Sequence, residues 1–200
     1  MFIYKYFMPR VKTISDDEVL DRALAVLLER GPHRFTLPDV SRAVGLSPST
    51  LIQRFGSKRG LMDAVLARST TVLNAELEAR EPTGDPRQDL IAWLTGIARP
   101  LRTHAHLAGH LTLLIEDITV PSRRASAQEH MRVLRSGIAS RLVDMGSPTP
   151  EAHADMIEAH WNGLGIQWAM RDTGEDIEAW VSRGLSTLLE RLLPPDDHPY

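Results

Sequence analysis

The stretch from Thr36 to Lys58, TLPDVSRAVGLSPSTLIQRFGSK, places the tightest limits on how this chain can fold. Val40 and Val44 precede Gly45, and Leu46, Leu51 and Phe55 follow it, all at roughly helical spacing. Thr36, with Asp39 three residues on, is a capping pair for a first short helix. Gly45 ends that helix, where the backbone must turn left-handed and a side chain would be strained. Ser47 caps a second helix, and Pro48 takes its first position, where no amide donor is lost. Ser41 is small and falls where the two helices must cross closely. Two capped helices around a glycine turn make a helix-turn-helix, whose second helix fits the major groove of DNA.

The flanking pattern is helical throughout. Ser15-Asp16-Asp17-Glu18 is a capping box that opens a helix reaching about Arg30, with Leu20, Ala23, Leu24, Leu27 and Leu28 on one face and Gly31-Pro32 as its stop. Ser57 caps a longer fourth helix running toward Arg80, which fades in the loop Glu81-Pro82-Thr83-Gly84-Asp85-Pro86. Further helices are predicted over about 88–104, bent or broken at Pro100, and then over about 106–118, 122–145, 150–172 and 175–193. There is no strand alternation, repeat or low-complexity tract. The fold expected is all-α: a tail (1–14), an N-terminal helix-turn-helix domain (15–60) and a C-terminal helical body (61–200) for ligand binding and dimerisation.

Composition narrows the partners. The net charge of −3 taken alone argues against nucleic acid, but its distribution reverses that. Residues 1–60 hold 10 Lys/Arg against 6 Asp/Glu, net +4, while the remainder holds 13 against 20, net −7. A basic end on an acidic body suits a DNA-binding head joined to something else. The chain has no cysteine, which excludes disulfides and thiolate chemistry. No run of about 18 apolar residues suggests a membrane span. The opening MFIYKYFMPR lacks the form of a signal peptide and reads as a tail; the alternative is a basic arm of Lys5, Arg10 and Lys12. A cytoplasmic location is expected.

The order Thr36, Gly45-Leu46-Ser47, Leu51, Phe55, Ser57-Lys58 and Leu61 resembles the tetracycline-repressor (TetR) family over about residues 15–66. The resemblance implies a DNA-binding regulator that acts as a homodimer, most simply a repressor released from its operator by a small molecule. It also implies a ligand pocket in the body; no catalytic, metal or cofactor site is expected. One segment departs from the family's pattern: after Leu51, where an aromatic pair is common, stand Ile52 and Gln53, and Arg54 replaces a histidine before Phe55. Ile52 cannot make the phosphate bond of a tyrosine hydroxyl, whereas Arg54 offers a charged contact.

On the head, Lys58 at the start of the fourth helix is the phosphate candidate, with Thr36 and Ser47 beside it at helix starts. Ser49, Thr50, Gln53 and Arg54 are expected to point away from the Leu51/Phe55 core face. Gln53 suits adenine, and Arg54 suits guanine or a phosphate. In the body, Trp93, Ile97, Leu111, Leu114, Ile115, Met131, Leu134 and Trp161 are pocket candidates, with His110, Glu116 and Asn162 as polar handles for an apolar or aromatic effector. Ile157, Leu164 and Trp168, with Trp161, form one apolar stripe. Val181, Leu185 and Leu188, with Ile177, Gly184 and Leu192, form another. Pairing both helices with their copies makes a four-helix interface; the alternative is that the stripes pack within one subunit.

His106 and His110 share a helix face but lack the further ligands and the H-E-x-x-H pattern that would indicate zinc. Nucleophile elbows and phosphate-cradling glycine loops are absent, so an enzyme is not expected. The remaining alternative is a helical interaction module that binds no DNA.

Overall fold

The computed structural model describes residues 14–79, 84–171 and 174–193. Among these residues there are nine α-helices and no strand: α1 (Asp16–Arg34), α2 (Leu37–Val44), α3 (Pro48–Phe55), α4 (Lys58–Glu78), α5 (Pro86–Ala98), α6 (His104–Thr119), α7 (Pro121–Asp144), α8 (Pro150–Arg171) and α9 (Ile177–Leu192). Residues 1–13, with Lys5, Arg10 and Lys12, the expected helix end Arg80 and residues 81–83 of the expected loop lie outside the described residues.

The caps form where the residues place them. Ser15, Thr36, Ser47 and Ser57 each accept a backbone amide from the residue three further on. Gly45 closes α2 at φ 75°, in the left-handed region. Ser41 Oγ donates to the carbonyl of Leu46, which seals the crossing of α2 and α3. Helical geometry breaks at Gly31, as expected, but the chain then takes one more turn through Pro32 to Arg34. Pro100 stops α5, and a short 3-10 turn, Arg99–Leu101, leads into α6.

Helices α1 to α3 and the start of α4 form the head, around buried Leu27, Phe35, Val40, Leu51 and Leu61. α4 bridges to the body, packing on α1 and α3 and on α7. The most extensive contact between elements is α1 with α6. Gly109 makes it possible: a Cβ there would stand 2.1 Å from the carbonyl oxygen of Leu28. The body core holds Leu94, Ile138, Leu142, Ile157, Leu185 and Leu189.

The expected dimer stripes are corrected. Ile157, Leu164, Trp168, Val181 and Leu185 are buried within the single subunit, where α8 packs on α7 and α9. Trp168 Nε1 donates to the carbonyl of Glu175 at 2.7 Å, and Leu164 packs where a Cβ on Gly184 would fall. Leu188 is half-buried against the same core. The outer face of α8 is instead the set Met156, Ala159, Gly163, Ile166 and Met170, spaced three and four apart and largely open to solvent. The 3.6-residue period shows that α8 has an apolar side. It does not say which side α9 covers when apolar residues ring the helix.

Candidate functional site

The head presents α3 to solvent. Leu51 is fully buried and Phe55 partly so, which anchors one side of the helix. Ser49, Ile52 and Gln53 are exposed on the other. The Ser47 hydroxyl takes the Thr50 amide at 3.1 Å and lies 2.7 Å from Ser49 Oγ and 2.9 Å from Thr50 Oγ1. Three hydroxyls therefore cluster at the helix start, where backbone amides and the helix dipole favour an anion. Thr36 is exposed at the start of α2, and its hydroxyl donates to Asp39 at 2.6 Å. That bond is the first cause of the Asp39 carboxyl being held below its ordinary range.

Two cations of the sequence-derived site sit differently from expectation. Arg54 does not project into solvent: its guanidinium donates to the Ile14 carbonyl at 2.9 Å and to Asp16 at 3.1 Å, and its side chain is only 19% exposed. The start of α1 passes beside the end of α3, and that proximity is set by the tertiary fold. Lys58 is half-buried, with Nζ 3.4 Å from the Pro32 carbonyl. Sequence reasoning left Ile52 out of the reading surface, yet it is 40% exposed beside Gln53. A large apolar side chain at solvent on a short amphipathic helix was the available signal.

Behind the head, α1 and α4 to α8 line a cavity of about 750 Å³ that is partly open to solvent. Trp93, Ile97, His110, Leu114, Met131 and Trp161 line it, as do Leu134 and Asn162. Leu111 lies instead in a small neighbouring recess against α9, and Ile115 is 60% exposed on the outside of α6. Both residues are corrections to the expected pocket, since α6 turns its 110/113/114/117 side inward. Sequence reasoning missed His130, Arg123 and Glu158. His130 Nδ1 is 3.0 Å from Thr70 Oγ1 on α4, and burial pushes the pKa values of both His110 and His130 down. Arg123, on α7 and nearly fully buried, grips Asp117 through Nε at 2.9 Å and Nη2 at 2.8 Å, and Glu116 through Nη1 at 2.7 Å. His104 stacks on Trp168 at 5.0 Å, and the described residues include no cluster of three or more His, Cys, Asp or Glu side chains suited to a metal.

A capped helix-turn-helix on a helical body with a cavity behind the head defines an all-α protein of the helix-turn-helix class. Residues 19–65 match the model of the tetR family of bacterial regulatory proteins. Over those residues the head is of the tetR type. It is 33% identical over 110 residues to the HTH-type transcriptional regulator AlkX of Mycobacterium tuberculosis, covering 44% of this chain and 51% of that one. The chain spans about half the length of the curated relatives it matches. A TetR transcriptional regulator from Legionella pneumophila superposes with a TM-score of 0.73 at 15% identity, over 90% of this chain and 99% of that one. A TetR-family regulator from Rhodococcus does so at 0.68 and 20% identity, over 89% and 97%. These two likenesses are of fold. Among the described residues, no helix is long and apolar enough to cross a membrane.

Proposed function

We propose that this chain is a ligand-responsive DNA-binding transcriptional regulator, a homodimer that represses by occupying a two-fold operator and leaves it when a small molecule enters the body. The observation that carries this reading is the junction of head and cavity. The helix α4, which starts beside α3, also supplies Leu66, Ser69, Thr70 and Leu73 to the cavity wall, and α1 supplies Leu20, Leu24 and Leu28. A molecule seated there bears directly on the two helices that hold the head. If it prefers one spacing of the two heads over the other, it shifts the DNA-competent population.

On the head, Ser49, Ile52 and Gln53 face the bases, with Thr36, Ser47, Thr50 and Lys58 toward phosphates. The symmetric partner docks on the α8 face of Met156, Gly163, Ile166 and Met170, which small and flexible apolar residues make suited to close helix approach.

The test is duplex selection from a random library, followed by fluorescence anisotropy across a salt series. A reader of DNA selects a palindromic site and loses affinity steeply as salt rises. Absence of any selected duplex would identify a helical interaction module instead. Sedimentation of Ile166→Glu beside the wild type checks the pairing: a dimer for the wild type and a monomer for the variant are expected, and an unchanged dimer would move the interface off this face.

A further inference from the structure

The cavity's charged groups, the solvent-exposed Glu76 apart, are each charge-paired within the protein. Arg123 is charge-paired with both Asp117 and Glu116, donating through Nε and Nη1, while its Nη2, 2.8 Å from Asp117, is a buried donor without a hydrogen bond. Glu158, almost fully buried, is met by Arg135 at 3.0 Å. Arg68 is met by Asp21 at 2.6 Å and Asp17 at 3.0 Å, Arg99 by Glu178 at 3.2 Å, and Arg59 by Asp63 at 3.9 Å. Glu76, the remaining charged group of the wall, is exposed to solvent. What the wall leaves to a guest is neutral: the apolar surface of Leu24, Ile97, Leu113 and Leu134, and the polar atoms of His110, His130 and Asn162. Trp93 Nε1 adds a buried donor without a hydrogen-bond partner.

We infer that this cavity takes an uncharged, mostly apolar molecule bearing a hydroxyl or carbonyl group, and discriminates against carboxylates and amines of the same skeleton. The inference rests on the ligand-sensing reading above and names the class of ligand. An incoming anion finds each cation of the wall already paired with a carboxylate, and at Arg123 the two carboxylates Glu116 and Asp117 outweigh the one guanidinium charge, whose free Nη2 donor suits a neutral acceptor. An incoming cation finds each carboxylate of the inner wall already bonded to a guanidinium. Either ion leaves its hydration without a partner to replace it, so it enters only after neutralising. A hydroxyl or carbonyl loses far less on entry, and the imidazoles, the Asn162 amide and the Trp93 indole can replace its water. Burial supports this by holding His110 and His130 in their uncharged forms.

The experiment titrates the full chain with 1-decanol, decanoate and decylamine at neutral pH, reading the change in tryptophan fluorescence, to which Trp93 and Trp161 of the wall contribute beside Trp168 and Trp180. A carboxylic acid and an amine each sit about three pH units from their neutral forms there, so decanol is expected to bind at least about 100-fold more tightly than either. A preference of less than about tenfold, or one for either ion, overturns the inference. Asp117→Asn frees one side of the Arg123 fork and is expected to improve decanoate binding while leaving decanol unchanged; no gain for decanoate in a folded variant counts against it. The broader reading fails separately. Silence toward all three probes means the cavity receives no such guest and overturns both. Decanol binding that leaves duplex affinity unchanged keeps the ligand class and removes the regulatory role.

Discussion

Arg54 on α3 and Asp16 on α1 form an ion pair of 3.1 Å that ties the end of the reading helix to the start of the chain's first helix. A cation that sequence alone offers to DNA is thus spent on the head's own architecture. Asp16 is mostly exposed, so screening holds the pair to below about 1 kcal/mol; the bond to the Ile14 carbonyl adds about as much. Arg54→Ala is expected to lower the melting temperature by a few degrees and weaken all duplexes alike, without changing the salt slope of binding. A slope reduced by about one unit would mean that Arg54 leaves Asp16 for a phosphate in the complex.

Gln53 and Lys58 separate the two kinds of contact. Gln53→Ala is expected to cost about 1–3 kcal/mol on the selected duplex and to relax preference at one base pair. Lys58→Ala is expected to weaken every duplex similarly and to reduce the salt slope by about one unit. Binding isotherms on matched and single-substituted duplexes at several salt concentrations distinguish the outcomes.

Ile52 is placed to meet a thymine methyl, the apolar group that the major groove offers. Replacing thymine by deoxyuridine one position at a time is expected to cost the wild type about 0.8 kcal/mol at one site, near the worth of one buried methylene, and to cost Ile52→Ala nothing there. Equal responses of the two proteins at every position would remove Ile52 from base reading.

Gly109 permits the close crossing of α6 over α1. An alanine there would drive its Cβ to 2.1 Å from the Leu28 carbonyl oxygen, an atom of the backbone that cannot rotate away. Gly109→Ala is expected to destabilise the fold by about 1–3 kcal/mol, the usual range for overpacking, and to change duplex affinity through the shifted head. Denaturant unfolding and anisotropy on the same sample measure both.

His110 and His130 make the body sensitive to mild acid. Burial is the first cause of each lowered pKa; the charge of His130 also acts on His110, and Asp117 opposes the shift at both rings, with Glu158 helping at His130. The unfolded chain therefore takes up protons first, below the ordinary histidine value of 6.5. The stability these rings contribute is full above that value and is lost as pH falls through their folded-state values. The carboxylates Asp21, Asp39, Glu129 and Glu175 are held below their ordinary range and respond only at lower pH. The melting temperature is expected to fall from pH 7.5 to about 5.5, and the paired variant His110→Asn/His130→Asn is expected to flatten that fall.

The sequence by itself determined the elements whose causes are local. Ser15, Thr36, Ser47 and Ser57 start helices because each cap needs only the amide three residues on, and Gly45 and Pro100 act through their own backbone. The order of those signals also carried the all-α fold and the tetR-type head. Only the tertiary structure decided which side of each helix meets a neighbour. It turned Ile157, Leu164, Trp168, Val181 and Leu185 inward and left Met156, Ile166 and Met170 outside. It drew Arg54 onto Asp16, placed Ile115 at solvent, and brought Arg123 to Asp117 and Glu116 and His130 to Thr70. These pairings depend on how rigid helices cross, and an apolar period or a lone charge is compatible with several crossings. Burying the most apolar surface with every interior charge answered selects among them, and that condition belongs to the whole fold.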